Sequence, residues 1–567
     1  MTKATLHEII EKITNISNFD ISYPLEDRGD LACNVSFVVA KQNNSNPKDE
    51  AELIIKKLKD DGDIKKAFSK IEFAAPGFIN FYYSKNVLLK NAKEILKQKE
   101  EFGRGDDKKD KILIEYFQPN IAKPIHLGHL RTAIIGDALY RILKFSGYNI
   151  ESDSHIGDWG TQFGLLLYAY KNFGDEKVVE ENPIEELNKL YIDINEKAKH
   201  DPDIREKGKA EFAALEKGDE ENKKLWEKFA KLSWQEFEKT YELLNIRKSD
   251  HNWPESFYED KMPAVLDELE EKGLLKESEG AKIVDLEEYG LGVALLVKSD
   301  GATMYLLRDI AGFIFKKKQG FSRQLFVVDN RQEHIFRQLF KVLDLMGHIK
   351  SNGEGEHISY GILKLAEGAM STRKGTDVSP EVLMDKANEL ALKIIEEKNQ
   401  DLENKEQVAK KVAIGAVKYF DLSHNRHSDI VFEWDKVLNF EGNTGPYLQY
   451  THARIKSILR KADNSSNELS DDSDFVDSVG DEEKPLLRYL VRFPEVVSDV
   501  AKNHYPNQLC EYLYNLASKF NSFYEAAPVL NEPDETKRAL RLGLIMAVSQ
   551  IIKNGLGLLG IEAPEEM

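Results

Sequence analysis

The chain has 567 residues, 41% hydrophobic and 31% charged, a length and mix that suit several packed domains rather than one core. Its formal net charge of −19 excludes a general nucleic-acid coat and leaves room only for a local basic face on an acidic body, because phosphate binding needs clustered Lys and Arg. Two distant cysteines, Cys33 and Cys510, make neither a zinc knuckle nor a disulfide scaffold and suggest a reducing cytoplasm; no membrane span and no signal peptide are expected.

In chain order, residues 1–108 read as an α+β unit. Helical periodicity over Leu6 to Ile13 and Glu50 to Leu58 alternates with a strand-like end, Gly77 to Tyr82. The charged stretch Gly103 to Asp110 reads as a linker. From Lys111 the pattern changes. The apolar run Ile112-Leu113-Ile114 has the look of a buried parallel strand, and a helix with Leu127, Leu130, Ile134, Ala138 and Leu143 on one side follows it. A strand over Asn149 to His155 and a helix over Thr161 to Asn172 come next. This alternation predicts an α/β class, a doubly wound Rossmann-type parallel sheet spanning 109–383. A charge-rich helical insertion is expected at about 174–279. The rhythm is expected to resume with a strand at Met304 to Arg308, a helix to Lys318, a strand over Gln324 to Asp329 and a helix over Glu333 to Met346. Residues 384–567 read as an all-α domain with runs at 408–422, 447–460, 484–502, 508–523 and 535–559. The Asp-, Ser- and Asn-rich stretch 462–483 reads as a loop.

The sharpest local feature is Pro124-Ile125-His126-Leu127-Gly128-His129, between a predicted strand and a predicted helix. A helix start offers free N–H groups and a positive dipole end to phosphate. His126 and His129, three apart, share a helical face, and Gly128 lets a flat base approach the backbone. The bland alternative is a pair of solvated histidines. A second element, Met370-Ser371-Thr372-Arg373-Lys374-Gly375-Thr376, lies 245 residues further on, counting His126 to Ser371. Its hydroxyls and two cations suit a polyphosphate clamp; taken alone, it reads better as a solvated basic loop. It lacks P-loop spacing.

Together these elements resemble the paired HIGH and KMSKS signatures of class I aminoacyl-tRNA synthetases. The runs Glu115 to Pro124 and Arg131 to Ala138, with Gly157-Asp158-Trp159-Gly160-Thr161-Gln162-Phe163-Gly164 and Lys298 to Thr303, resemble the arginine-specific family. Asn443 to Tyr450 and Lys553 to Leu556 resemble that family's anticodon-binding domain, and residues 1–108 its additional tRNA-binding domain. Ala369 and Thr372 stand where the second signature has its lysines.

The resemblance implies an enzyme that activates arginine with ATP and magnesium and transfers it to the 3′ end of tRNA(Arg), requires the tRNA for activation, and acts as a monomer. It assigns His126, His129, Lys123, Ser371 and Lys374 to catalysis, Lys123 supplying charge missing from the second signature. Pro124, Gly128, His126, His129, Met370 and Thr372 are assigned to ATP. Glu115, Asn120 and Gln332 would hold the amino and carboxyl ends of arginine, and Tyr305 and Asp309 its guanidinium, for which a facing carboxylate is the fitting partner. Without the resemblance, Asp309 reads as a helix cap. Tyr447, Tyr450 and Arg454 fall at i, i+3 and i+7; such aromatics usually pack a core, whereas the family match makes them, with Met567, anticodon contacts. No protein-bound metal is expected. Two competing readings are a small-molecule nucleotidyltransferase and a tRNA-binding relative without activity.

Overall fold

The structure, a computed structural model, describes residues 1–25, 28–365, 379–462, 469 and 473–567. The first unit is an antiparallel sheet of β1 (Ile21–Ser22), β2 (Leu31–Cys33), β3 (Phe68–Ala74) and β4 (Phe78–Tyr83), in the order β1-β2-β4-β3. Around it lie α1 (Lys3–Thr14), α2 (Val35–Asn43), α3 (Pro47–Leu58), α4 (Gly62–Ala67) and α5 (Lys85–Gln98). Leu6 and Ile10 of α1 and Ala51, Ile54, Ile55 and Leu58 of α3 form the inward stripes that helical periodicity predicts.

The second unit opens with β5 (Lys111–Glu115), α6 (Leu127–Phe145), β6 (Asn149–Asp153) and α7 (Thr161–Phe173). Ile112, Leu113 and Ile114 are almost wholly buried, as a central parallel strand requires. Helices α8 (Glu176–Glu181), α9 (Pro183–His200), α10 (Pro202–Glu216) and α11 (Glu220–Leu243) form the helical insertion. Then α12 (Met262–Glu271) leads to a small antiparallel sheet of β7 (Leu275–Ser278), β8 (Ala281–Asp285) and β9 (Val293–Val297). That sheet is absent from the sequence reading, whose helical insertion ends within it. The main layer resumes with α13 (Tyr305–Lys318), β10 (Arg323–Asp329), α14 (Glu333–Leu345) and β11 (Gly355–Tyr360). The strand expected over Met304 to Arg308 is instead the first turn of α13. Met304 is its N-cap, and the short apolar stretch continues unbroken into the helical stripe Leu306, Leu307, Ile310 and Ile314. Short apolar runs do not separate strand from helix by themselves.

The parallel sheet has the order β11-β10-β5-β6. Successive strands run outward from β5 to one side and from β10 to the other, so the topological switch falls between them, where α/β folds form their ligand crevice. Beyond the sheet, β12 (Leu363–Leu365) precedes α15 (Pro380–Lys398) and α16 (Lys405–Leu422) and pairs in parallel with β13 (Ile430–Phe432). The remainder is helical: α17 (Trp434–Val437), α18 (Gly445–Lys461), α19 (Ser473–Ser478), α20 (Lys484–Leu490), α21 (Phe493–Asn503), α22 (Asn507–Ala526) and α23 (Glu535–Leu558). The run expected over 484–502 is two helices, with Pro494 in the first turn of the second; proline fits there because that turn needs no amide donor. Within the stretch expected as a loop, 473–478 forms α19, and Leu469 is buried. Among the described residues no helix is long and apolar enough to cross a membrane.

Candidate active site

The connection from β5 to α6 occupies the switch point. Phe117 and Ala122 hold left-handed backbone, with φ of 62° and 58°, costly for side-chain-bearing residues and characteristic of functional loops. The loop is fastened to the next crossover: Ile121 N–H donates to the Gly157 carbonyl at 3.0 Å, and Gly157 N–H to that of Pro119 at 3.0 Å. A Cβ at Gly157 would lie 2.1 Å from Asn120 Oδ1, so only glycine admits the Asn120 side chain here. α6 is anchored by Thr132, whose hydroxyl donates to the Val327 carbonyl of β10 at 2.7 Å. Gly136 faces Tyr116 so closely that a Cβ would fall 2.3 Å from the ring.

At the start of α6, His126 is the N-cap. Its Nδ1 accepts from Gly128 N–H at 3.1 Å, and His129 Nδ1 accepts from His126 N–H at 3.2 Å. Both imidazoles therefore carry their proton on Nε2. The rings lie 3.9 Å apart, centroid to centroid. Burial, aided by His126 and Lys123, pushes the His129 pKa down to about 3, so this histidine is a neutral donor at physiological pH. Pro124 lies just before this start, and Gly128 leaves room beside the His126 ring. Lys123 Nζ donates to Gln162 Oε1 at 3.1 Å and lies 5.1 Å from the Tyr191 ring centroid, in the insertion. Its amine is lowered by burial. Met370, Ser371, Thr372 and Lys374 lie outside the described residues.

At the end of β5, on the switch-point cleft, acids outnumber bases. Glu115 ends β5, with Lys316 contacting its Oε2 and Gln118 donating to Oε1 at 3.4 Å. Burial alone would raise the Glu115 carboxyl; Lys316 and His155 overcome this and hold it below its ordinary range. Asp309 lies in the first turns of α13, four residues after Tyr305. Desolvation, with the Glu115 charge, pushes its pKa up to about 7 against the pull of Lys316 and Arg308. Tyr305 is 53% exposed at the start of that helix. Gln332 is exposed in the turn after β10.

Glu255, which sequence reasoning missed, belongs to the same cleft. It is buried, and its Oε2 has no hydrogen-bond partner; the nearest cation, Arg308 Nη1, is 3.6 Å away. Burial raises its pKa to about 8, Arg308 opposing and Asp309 adding to the rise. Arg308 is committed elsewhere, donating to Glu259 Oε1 through Nε at 3.0 Å and Nη2 at 2.8 Å. The only sequence signal was an acid immediately after Trp253-Pro254, which carries no motif.

In the helical domain, Tyr450, Arg454 and Met567 line one cavity of about 320 Å³, with Asn399 and Arg460. Tyr447 stands outside it and is linked through Asn521, which donates to the Tyr447 hydroxyl at 2.8 Å and accepts from Arg454 Nη1 at 3.2 Å.

A Rossmann-type sheet with paired imidazoles at the switch-point helix is the layout of a class I synthetase, and residues 91–434 match the family model described as "tRNA synthetases class I (R), catalytic domain". Residues 2–83 match "Arginyl tRNA synthetase N terminal domain" and residues 448–567 "DALR anticodon binding domain". The chain is 42% identical over 563 residues to an arginine–tRNA ligase of Clostridium botulinum (strain Okra / Type B1), covering 99% of this chain and 97% of that protein. It is also 42% identical over 547 residues to that of Alkaliphilus metalliredigens (strain QYMF), covering 96% and 94%. The Thermus thermophilus arginyl-tRNA synthetase superposes with a TM-score of 0.83 at 26% identity over the whole of both chains. That of Plasmodium falciparum gives 0.82 at 26%, over 99% and 98%. This chain belongs to the arginyl-tRNA synthetase family, and its class I catalytic domain implies the use of ATP.

Proposed function

We propose that this chain charges tRNA(Arg) with arginine in two steps at the β5–β10 crevice. The observation that carries the reading is the pair Asp309 and Glu255: two carboxyls raised in pKa by burial that Arg308 only partly offsets, in the same crevice as a helix start with two imidazoles whose Nδ1 atoms accept backbone N–H groups. A planar guanidinium supplies the cation and the fork of N–H donors that such acids lack. Tyr305 borders that pocket, while Glu115, Asn120 and Gln332 hold the amino and carboxyl ends.

With arginine so placed, its carboxylate attacks the α-phosphate of magnesium-bound ATP and pyrophosphate leaves. No protein nucleophile takes part. His126 and His129 donate through Nε2–H to phosphate oxygens as charge spreads over them, helped by the α6 dipole. Pro124 and Gly128 border the nucleotide, and Lys123 adds positive charge nearby. The family resemblance adds Met370, Ser371, Thr372 and Lys374 to the ATP contacts. The 3′-terminal ribose of the tRNA then attacks the adenylate's carbonyl carbon and AMP departs.

Residues 1–108 and 384–567 grip the tRNA on either side of the catalytic unit 109–383. Tyr450, Arg454 and Met567 meet unpaired anticodon bases in their shared cavity, and Tyr447 braces Arg454 through Asn521. One polypeptide holds every part, which supports a monomer, and the two buried free thiols suit a reducing cytoplasm. ATP–pyrophosphate exchange with each amino acid, with and without tRNA(Arg), tests the reading. Exchange requiring both arginine and tRNA is expected; exchange with another amino acid only rejects it, and nucleotidyl transfer to a small metabolite favours a transferase. In the same assay His129→Ala is expected to lower kcat by about 100-fold, the scale for loss of one oriented donor, with little change in tRNA affinity.

A further inference from the structure

Lys316 has no role in the chemistry above, yet it is 2% exposed and sits where the site is assembled. Glu115 and Asp153 are the last residues of β5 and β6 and stand directly opposite in the parallel register. Both are buried. Two like charges side by side in a dry sheet repel each other and lose hydration, so they demand a shared cation. Lys316 Nζ meets that demand: it contacts Glu115 Oε2 and lies 3.2 Å from Asp153 Oδ2. Glu115, Asp153 and His155 also present ligand atoms within 4.8 Å of one another, and the ammonium supplies the charge that this set would otherwise draw from a metal. Lys316 follows Asp309 by seven residues on α13, two helical turns and about 10 Å along one face. A single rigid helix therefore carries both Asp309 and the cation that holds Glu115.

We propose that Lys316 is a positioning residue for arginine: it fixes the Glu115 carboxylate at the end of β5, ready for the substrate's amino group, at a set distance from Asp309. The arrangement acts as a ruler. Glu115 and Asp309 meet opposite ends of one amino acid, and α13, through Lys316, fixes where the Glu115 carboxylate points from the end of β5. This rests on the reading of the cleft as the arginine site.

The test is ATP–pyrophosphate exchange with tRNA(Arg) present, measuring KM for arginine and for ATP separately. Lys316→Met is expected to raise the arginine KM by about tenfold or more, the effect of losing a charge-assisted contact, with the ATP KM changed by less than about threefold. Lys316→Arg restores most of the loss. Because Lys316→Met leaves two carboxylates facing each other, the double variant Lys316→Met/Asp153→Asn removes that repulsion and is the folded control, checked by its thermal transition. It retains the raised arginine KM if Lys316 positions Glu115. A folded double variant with a wild-type arginine KM, or arginine and ATP KM rising equally, overturns the proposal. Absence of arginine-dependent exchange in the unaltered chain overturns the reading of the cleft and the role of Lys316 with it. Normal wild-type exchange beside an indifferent Lys316→Met overturns the Lys316 role alone.

Discussion

Asp309 and Glu255 are carboxyls held out of water without a dedicated cation, and their behaviour with pH follows from that. Their pKa values of about 7 and about 8 mean that the free protein carries protons on them near neutrality. Ionising them as pH rises costs stability in the unliganded chain, since the folded state holds these protons more tightly than the unfolded one. A guanidinium prefers the ionised pair, so arginine binding in the proposed pocket is expected to displace protons. The rise in melting temperature produced by arginine is therefore expected to grow between pH 6 and pH 8; thermal denaturation in matched buffers checks this, and a shift that shrinks over that interval contradicts it. Asp309→Ala is expected to raise the arginine KM by about tenfold or more, read from exchange kinetics. His129 behaves differently. Its depressed pKa keeps it neutral across the same interval, so its donor role does not change with pH.

At the scale of elements, α6 connects the imidazole pair to the helical domain. Two buried ion pairs of opposite polarity join it to α16: Arg131 to Asp421 at 3.3 Å and Asp137 to Lys418 at 3.3 Å. Arg131 also donates to the carbonyls of Gly361 and Ser428, so one guanidinium ties α6 to the exit of β11 and to the segment before β13. Lys418 further donates to the Gly560 carbonyl at 2.9 Å. α16 in turn packs against α18, where Gly415 leaves room for Gln449 and a Cβ would lie 2.6 Å from its amide oxygen. Asp421→Ala strands a fully buried arginine and is expected to destabilise the protein by about 3–5 kcal/mol, measured by urea denaturation. A loss under about 1 kcal/mol would show that the carbonyl partners suffice for Arg131.

For the molecule as a whole, the terminal units are docked to each other as well as to the sheet domain. Tyr23 of the first unit donates to Glu495 Oε2 at 2.7 Å, Arg488 contacts Asp30, and α5 lies along α23. The two proposed tRNA-binding units thus contact each other directly. The sites proposed for bases and for the amino acid lie in separate domains: the Tyr450–Arg454–Met567 cavity in the helical domain and the acidic cleft at the sheet. Tyr450→Ala is expected to raise the KM for tRNA(Arg) by about tenfold, a stacking contact being worth about 1–3 kcal/mol, with the thermal shift given by arginine alone unchanged. An altered arginine shift would show that the two parts are not separate.

Much of this was legible in the chain itself. The apolar run before His126, the glycine-bearing turn and the periodic helix after it are local patterns, and local hydrogen bonding and burial are enough to specify a strand, a cap and a helix. The parallel sheet and the helical C-terminal domain followed from the same periodicities. The small sheet over 275–297 did not, and the first turn of α13 read as a strand, because short apolar runs suit either structure until their neighbours are placed. Glu255 and Lys316 were invisible for a stronger reason: each is an ordinary charged residue in sequence, and its meaning comes from partners more than 50 positions away in the chain. Sequence determined most of the elements and the start of the helix at His126 and Leu127. Only tertiary structure decided which charges share a desolvated space, since the strength of a buried charge depends on what surrounds it rather than on its neighbours along the chain.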